Sequence, residues 1–240
     1  LRYLRESLEM LIELGDDELL HMYPVPEDIG NPIIYQHKGY RYTFRWLRQI
    51  RMLSVFRKYL KGSLGERPIC MDIGSGWGLF SYLIAQEIPQ STNVLVDFPE
   101  MIMLAHYFIK MSFPEARIAT YVDLCHTDSI DRELLQGYDF VLLPHFMFDK
   151  IKANSTDVII NFQSFAEMPR TWFNFYVDSD VFKTTRSLLL LNRFVSSPEI
   201  EPTYGNDLNV LDYSLHDFDV RHFDVFPLFQ YVYEGWNRFF

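Results

Sequence analysis

The chain has 240 residues, 48% of them apolar, and its 22 Lys and Arg against 32 Asp and Glu give a formal net charge of −10. That is material for one ordinary domain with an appendage, and no low-complexity stretch points to disorder. The charge repels a polyanion on average, which disfavours nucleic acid as a partner, and two cysteines, Cys70 and Cys125, are too few for a disulfide framework and suit a reducing, cytoplasmic setting.

Opening on Leu1, the sequence reads as a trimmed version of something longer. No signal peptide or apolar run of membrane-spanning length is visible; residues 101–109 are cut by His106 and stopped by Lys110. Residues 1–22 carry Leu4, Leu8, Leu11, Ile12 and Leu19 at helical spacing, with a break expected at Asp16 and Asp17. Pro24, Pro26, Gly30 and Pro32 then mark a connector without one regular element. Residues 42–60 are helical again, with Trp46, Ile50, Leu53, Phe56 and Leu60 on one side. Arg45, Arg48, Arg51 and Arg57 form the other, a row that reads as a solvated face or as a lid whose Arg48 meets an anionic acceptor. Gly62 and Gly65 end this segment, and the boundary falls there: a helical cap over 1–65 and a second domain over 66–240.

The second domain alternates strand and helix. Strands are expected at 69–73, 93–97, 117–122, 140–143, 158–160 and 187–191, and helices at 78–87, 100–110, 129–136 and 172–182. The tail from 217 to 236 alternates like a terminal antiparallel pair. Such alternation predicts an α/β fold, a doubly wound parallel sheet with helices on both faces.

The chemistry concentrates where the first of these strands runs into Asp72-Ile73-Gly74-Ser75-Gly76-Trp77-Gly78. Glycines let the backbone turn tightly and approach a ligand closely, with free amides at a helix start. A dinucleotide turn is spaced G-x-G-x-x-G and holds a pyrophosphate. Here the spacing is G-x-G-x-G and an acid precedes it by two residues, which suits a cationic ligand with an amino group, such as the methionyl end of S-adenosylmethionine. At the end of the next strand stand Asp97, Phe98 and Pro99. A carboxylate there can accept both ribose hydroxyls of a nucleoside, and Phe98 can wall off the base. The alternative is a structural turn with Asp97 capping the next helix.

The stretch 72–78 and the triplet Asp97-Phe98-Pro99 resemble motifs of the class I methyltransferases. The later segment Asp157-Val158-Ile159-Ile160-Asn161-Phe162-Gln163-Ser164-Phe165-Ala166-Glu167-Met168, with Val141-Leu142-Leu143-Pro144-His145, resembles a family of sugar O-methyltransferases. The resemblance runs from about residue 29 to the end. It implies a Rossmann-like, seven-stranded methyltransferase sheet, S-adenosylmethionine as cofactor, and a hydroxyl of a sugar or glycoconjugate precursor as acceptor. From the residues alone, a phenol or amine acceptor, or a binding module that transfers nothing, stays open. Self-association into a homo-oligomer is also left open.

Methyl transfer from a sulfonium to a hydroxyl is largely a matter of positioning, plus removal of the hydroxyl proton. His145 is the simplest general base, because histidine ordinarily titrates near neutrality; Glu167 is its rival. Each also has a structural reading, His145 as a strand-end residue satisfying backbone groups and Glu167 as a carboxylate at a helix start. Asn161, Gln163 and Ser164 follow an apolar strand and suit hydrogen bonds to an acceptor or a helix cap. Asp123, His126 and Asp128, and His216 and His222 among Asp212, Asp217, Asp219 and Asp224, have metal-ligand residue types without a fixed geometry; no metal is expected.

Overall fold

The computed structural model describes residues 2–193, 208, 210–213, 215 and 217–229. The chain divides into two compact units, one of residues 1–62 with 220–240, the other of residues 63–219. Residues 220–229 thus group with the N-terminal residues rather than with the strand–helix segment.

In the first unit, helices α1 (Arg2–Glu13) and α2 (Glu18–Met22) precede a hairpin, β1 (Tyr35–His37) with β2 (Tyr40–Tyr42), and a long helix α3 (Phe44–Tyr59). The hairpin was not legible as strands. Its turn is Lys38-Gly39, both at positive φ (49° and 84°), the conformation that matches the twist of paired strands. Thr43 caps α3 by accepting the Trp46 amide at 3.0 Å, and Leu8, Leu11, Trp46, Leu47, Ile50, Leu53 and Phe56 are buried. The arginines of α3 do not form a solvated face. Arg45 is exposed, but Arg48 is buried, its guanidinium 5.6 Å from the centre of the Phe44 ring, and Arg51 pairs with buried Asp16 at 2.8 Å. Asp16 and Asp17 do fall between helices, and Asp16 also accepts the Ser54 hydroxyl.

The second unit is an α/β Rossmann-like fold. Its elements are β3 (Ile69–Ile73), α4 (Leu79–Glu87), β4 (Thr92–Asp97), α5 (Pro99–Ser112), β5 (Ile118–Ala119), α6 (Tyr121–Leu124), α7 (Arg132–Gln136) and β6 (Phe140–Pro144). After a 3₁₀ turn at His145–Lys150 come β7 (Val158–Phe162), a second such turn at Phe165–Glu167, α8 (Arg170–Val177), α9 (Asp180–Thr184) and β8 (Ser187–Leu191). The strands form one six-stranded sheet in the order β5-β6-β4-β3-β7-β8, every pairing parallel. Strands β3 and β6 are buried along their whole length, as expected of parallel strands covered on both faces. The chain builds outward from β3 through β4, reaches the edge at β5, returns to insert β6, and only then crosses to β7 on the other side of β3. A reversal of that kind opens a crevice at the carboxyl ends of the central strands.

Several expected elements differ locally. The strand over 117–122 is two residues long, because Thr120 and Asp123 form a capping box that starts α6. The helix over 172–182 is two helices, since Ser179 caps α9 by accepting the Phe182 amide at 3.3 Å. Among the described residues of 217–236 there is no strand, only a 3₁₀ turn at Pro227–Phe229, so a seventh strand is not found among the described residues; 230–236 lie outside them, as does His216. No described helix is long and apolar enough to cross a membrane.

At the opposite end of the sheet, Asp157 at the start of β7 is buried. It accepts the Ile69 amide at 2.9 Å and meets Arg132 at 2.6 Å and Arg186 at 3.6 Å. Removing a buried carboxylate leaves its partners uncompensated. Asp157→Ala is expected to lower unfolding free energy by about 3 kcal/mol, checked by urea titration.

Candidate functional site

The carboxyl ends of β3, β4, β6 and β7 converge. Asp97 at the end of β4 is in register with Pro144 of β6, so His145 follows beside it; on the other side, Asp72 of β3 pairs with Ile160 of β7, and Asn161 comes next.

The turn after β3 is left-handed at each glycine, with φ of 73° at Gly74, 57° at Gly76 and 85° at Gly78. Two of these positions are also crowded. A Cβ on Gly74 would lie 2.0 Å from the Ser164 hydroxyl, and one on Gly78 would lie 2.8 Å from Leu95. Four of the turn's amides are not free. Gly74 and Ser75 donate to the Val96 carbonyl at 2.8 and 3.4 Å, Gly78 donates to the Ser75 carbonyl at 3.0 Å, and Gly76 donates to the Asp97 carboxylate at 2.6 Å. The other Asp97 oxygen accepts the Phe98 amide at 2.7 Å. Asp97 therefore braces the turn as well as ending the strand. A carboxylate has about four acceptor positions, and two of these remain for a ligand. Pro99 opens α5 with Phe98 extended before it, the backbone that a following proline imposes. Trp77 packs edge-on against Phe108, 4.8 Å between centroids, and so belongs to the packing of this layer.

Asp72 is the unusual group. It is 3% exposed, and its Oδ1 has no hydrogen-bond partner. Burial drives its carboxyl well above the ordinary carboxylate range, and the neighbouring charge of Asp97 adds to the shift. Asp97 is itself raised by burial, against the lowering effect of its two amide bonds and of His145. Of these two neighbouring carboxyls, one thus keeps an oxygen that the described residues leave without a hydrogen bond.

Asn161 is fully buried and fully used by the chain. Its amide donates to the Ile73 carbonyl at 2.7 Å and to Ser164 at 2.5 Å, while its oxygen accepts Phe165 N at 3.1 Å and Asn192 at 2.9 Å. Ser164 also donates to Ile73 O, at 3.2 Å. These two residues hold the β7 loop against the glycine turn. Gln163, at a φ of 70°, makes no side-chain hydrogen bond among the described residues. His145 lies among three rings, with Phe98, Phe146 and Trp172 at 5.1, 5.6 and 4.9 Å, and its Nδ1 is buried without a hydrogen bond. Glu167 is exposed and 3.4 Å from Arg193. Arg48 belongs to the other unit. Phe146 and Asn192 were not assigned site roles from the sequence; the exposure of large aromatics beside His145 became visible only in three dimensions. Asp123 is spent on its capping box, and among the described residues no group of three or more His, Cys, Asp or Glu gathers as a metal site would.

No family model matches the chain, and no curated protein matches it. Among solved structures, it is similar to a Methanococcus maripaludis protein assigned as an S-adenosyl-L-methionine-dependent methyltransferase, with 16% identity, 66% of this chain and 60% of that one covered, and a TM-score of 0.39. It is also similar to an O-methyltransferase family 2 protein of Planctomyces limnophilus in complex with apigenin, with 12% identity, 64% and 44% covered, and a TM-score of 0.37. The mitomycin 7-O-methyltransferase MmcR gives 15%, 63%, 40% and 0.36. The chain thus spans less than two thirds of the length of each.

The crowding has measurable consequences. In the ligand-free protein the folded state keeps a proton on Asp72 that the unfolded chain releases, so stability falls as pH rises from the ordinary carboxylate range. Asp72→Asn is expected to flatten that slope and raise Tm near neutral pH by about 3 °C, read by calorimetry between pH 4 and 8. Gly74→Ala should cost about 2 kcal/mol or more; adding Ser164→Gly should recover the part due to the clash and leave the backbone strain, a partition that paired denaturant titrations resolve.

Proposed function

We propose that the second unit binds S-adenosylmethionine and transfers its methyl group to a hydroxyl of a small molecule. The observation that carries this reading is the buried, unpartnered Asp72 oxygen beside the glycine turn. A carboxylate so placed is stabilised most by a cationic donor, and the ammonium of the methionyl group is one. The two remaining acceptor positions of Asp97 suit the ribose hydroxyls. The spacing of the turn and the acid before it disfavour a pyrophosphate, and with it a nicotinamide dinucleotide.

When bound, the sulfonium supplies an electrophilic methyl carbon: its bond to sulfur breaks with the electron pair left on sulfur as a neutral thioether, while a bond to the acceptor oxygen forms. The chain's part is to hold the two reactants in line and to take the hydroxyl proton. His145 is assigned that proton, on two grounds: it follows β6 directly beside Asp97, and its Nδ1 has no hydrogen-bond partner among the described residues. Glu167, the other candidate base, is exposed and faces Arg193 at 3.4 Å. A sugar hydroxyl is the acceptor that the 157–168 segment suggests by resemblance. Asn161 and Ser164, the polar groups of that segment, serve instead to build the turn. The free, unpaired thiols of Cys70 and Cys125 are in keeping with a cytoplasmic enzyme.

Calorimetric titration tests the reading. S-adenosylhomocysteine is expected to bind at micromolar concentration and reduced nicotinamide dinucleotides not at all; the reverse result overturns the proposal. Asp97→Ala is expected to weaken S-adenosylhomocysteine by about tenfold or more, and unchanged affinity would remove the ribose assignment.

A further inference from the structure

The acceptor face can be read from what surrounds His145. Phe98, Phe146 and Trp172 stand nearly perpendicular to its ring, at interplanar angles of 68°, 74° and 75°. All three are large apolar side chains left open, 60%, 49% and 39% exposed. The series continues on both sides, Tyr121 against Phe146 at 5.7 Å and Phe175 against Trp172 at 5.4 Å, and both of these are exposed as well. Exposed aromatics in an unbroken row are uncommon on a soluble domain and mark a surface that meets apolar matter. This row closes around the one imidazole beside the donor carboxylates.

The polar groups nearest this place are partly used within the chain. A carbohydrate is recognised by converging polar side chains that satisfy its hydroxyls, because each one buried unpaired costs binding energy. Asn161 and Ser164, the nearest such groups by sequence, are committed to Ile73, Phe165, Asn192 and each other. What remains beside the ring surface is the unpartnered His145 Nδ1 and the Gln163 side chain. Ring surface is complementary to a flat π-system, with offset or edge-on packing against Phe146 and Trp172. The proton chemistry agrees: a phenolic hydroxyl ordinarily titrates near 10, as tyrosine does, and yields its proton to an imidazole far more readily than an aliphatic alcohol does.

We therefore propose that the acceptor is a planar phenol, gripped by Phe146 and Trp172 with its hydroxyl toward His145, and not a sugar. This rests on the methyltransferase reading for the role of the site. Its recognition part does not depend on that reading.

The experiment is a fluorescence and calorimetric titration of the whole chain with 2-naphthol and with methyl α-D-glucopyranoside, each with and without saturating S-adenosylhomocysteine. The expected result is saturable 2-naphthol binding with no detectable binding of the glucoside. Phe146→Ala and Trp172→Ala are each expected to weaken 2-naphthol by about three- to tenfold while leaving S-adenosylhomocysteine affinity as it was. Both side chains are partly exposed, so both variants are expected to keep the parent melting temperature; two independent variants guard against one that does not fold. Binding of the glucoside alone, or 2-naphthol binding unmoved by either substitution, overturns the proposal. Absence of S-adenosylhomocysteine binding overturns the methyltransferase reading instead, and the ligand-free titration with 2-naphthol still decides the acceptor class.

Discussion

The turn after β3 is clamped from both sides, and the site depends on that clamp. From β4, Asp97 takes the Gly76 amide; from β7, Asn161 and Ser164 take the Ile73 carbonyl. Neither bond is local in sequence, and both need the three strands in register. The clamp explains why the turn tolerates so little change. Ser164 fills the space that a side chain at 74 would need, and Leu95 fills the space at 78. It also turns the polar residues after β7 into scaffolding, which is the structural alternative their sequence left open.

Holding the turn in this way brings together two carboxylates at strand ends, Asp72 buried and Asp97 half-buried. Burial raises the proton affinity of both Asp72 and Asp97, the charge of Asp97 raises that of Asp72 further, and one oxygen of Asp72 has no hydrogen bond. Such a cluster works against the folded state by itself and is relieved by a cation. Stability is thus set against binding at one pair of residues, and a local rule is broken where a ligand can restore it. Elsewhere the same chemistry is resolved internally: buried Asp157 has two arginines and a backbone amide, and buried Asp16 has Arg51 and Ser54.

The arrangement of strands decides which residues share the crevice. Because β6 is inserted beside β4 rather than placed at the edge, His145 comes next to Asp97. Had β5 paired directly with β4, residues 145–150 would emerge further from the glycine turn. The aromatic row from Tyr121 to Phe175 is assembled from four separate segments by the same insertion.

Much of this was legible before any coordinates. The alternation of apolar strands and helices set the fold class, since a buried parallel strand is a short apolar run and its crossover helix has a 3.6-residue period. The spacing of Asp72, three glycines and Asp97 marked the crevice, because only a left-handed turn at a strand end calls for that pattern. Helix limits set by single side chains, at Thr120 and Ser179, and the hairpin at Lys38-Gly39 were missed, as one hydrogen bond or one turn decides them against a weak periodic signal. Arg48 shows the larger limit: a cation in a regular row of arginines was read as solvent-facing or as part of a lid over an acceptor, and packing buried it against Phe44. By itself the sequence determined the local elements and the residue types gathered at strand ends. The tertiary structure alone decided strand order, which of the polar groups were consumed by the chain, and which aromatic rings were left uncovered. Those outcomes depend on contacts between segments far apart in the chain, and no spacing within one segment encodes them.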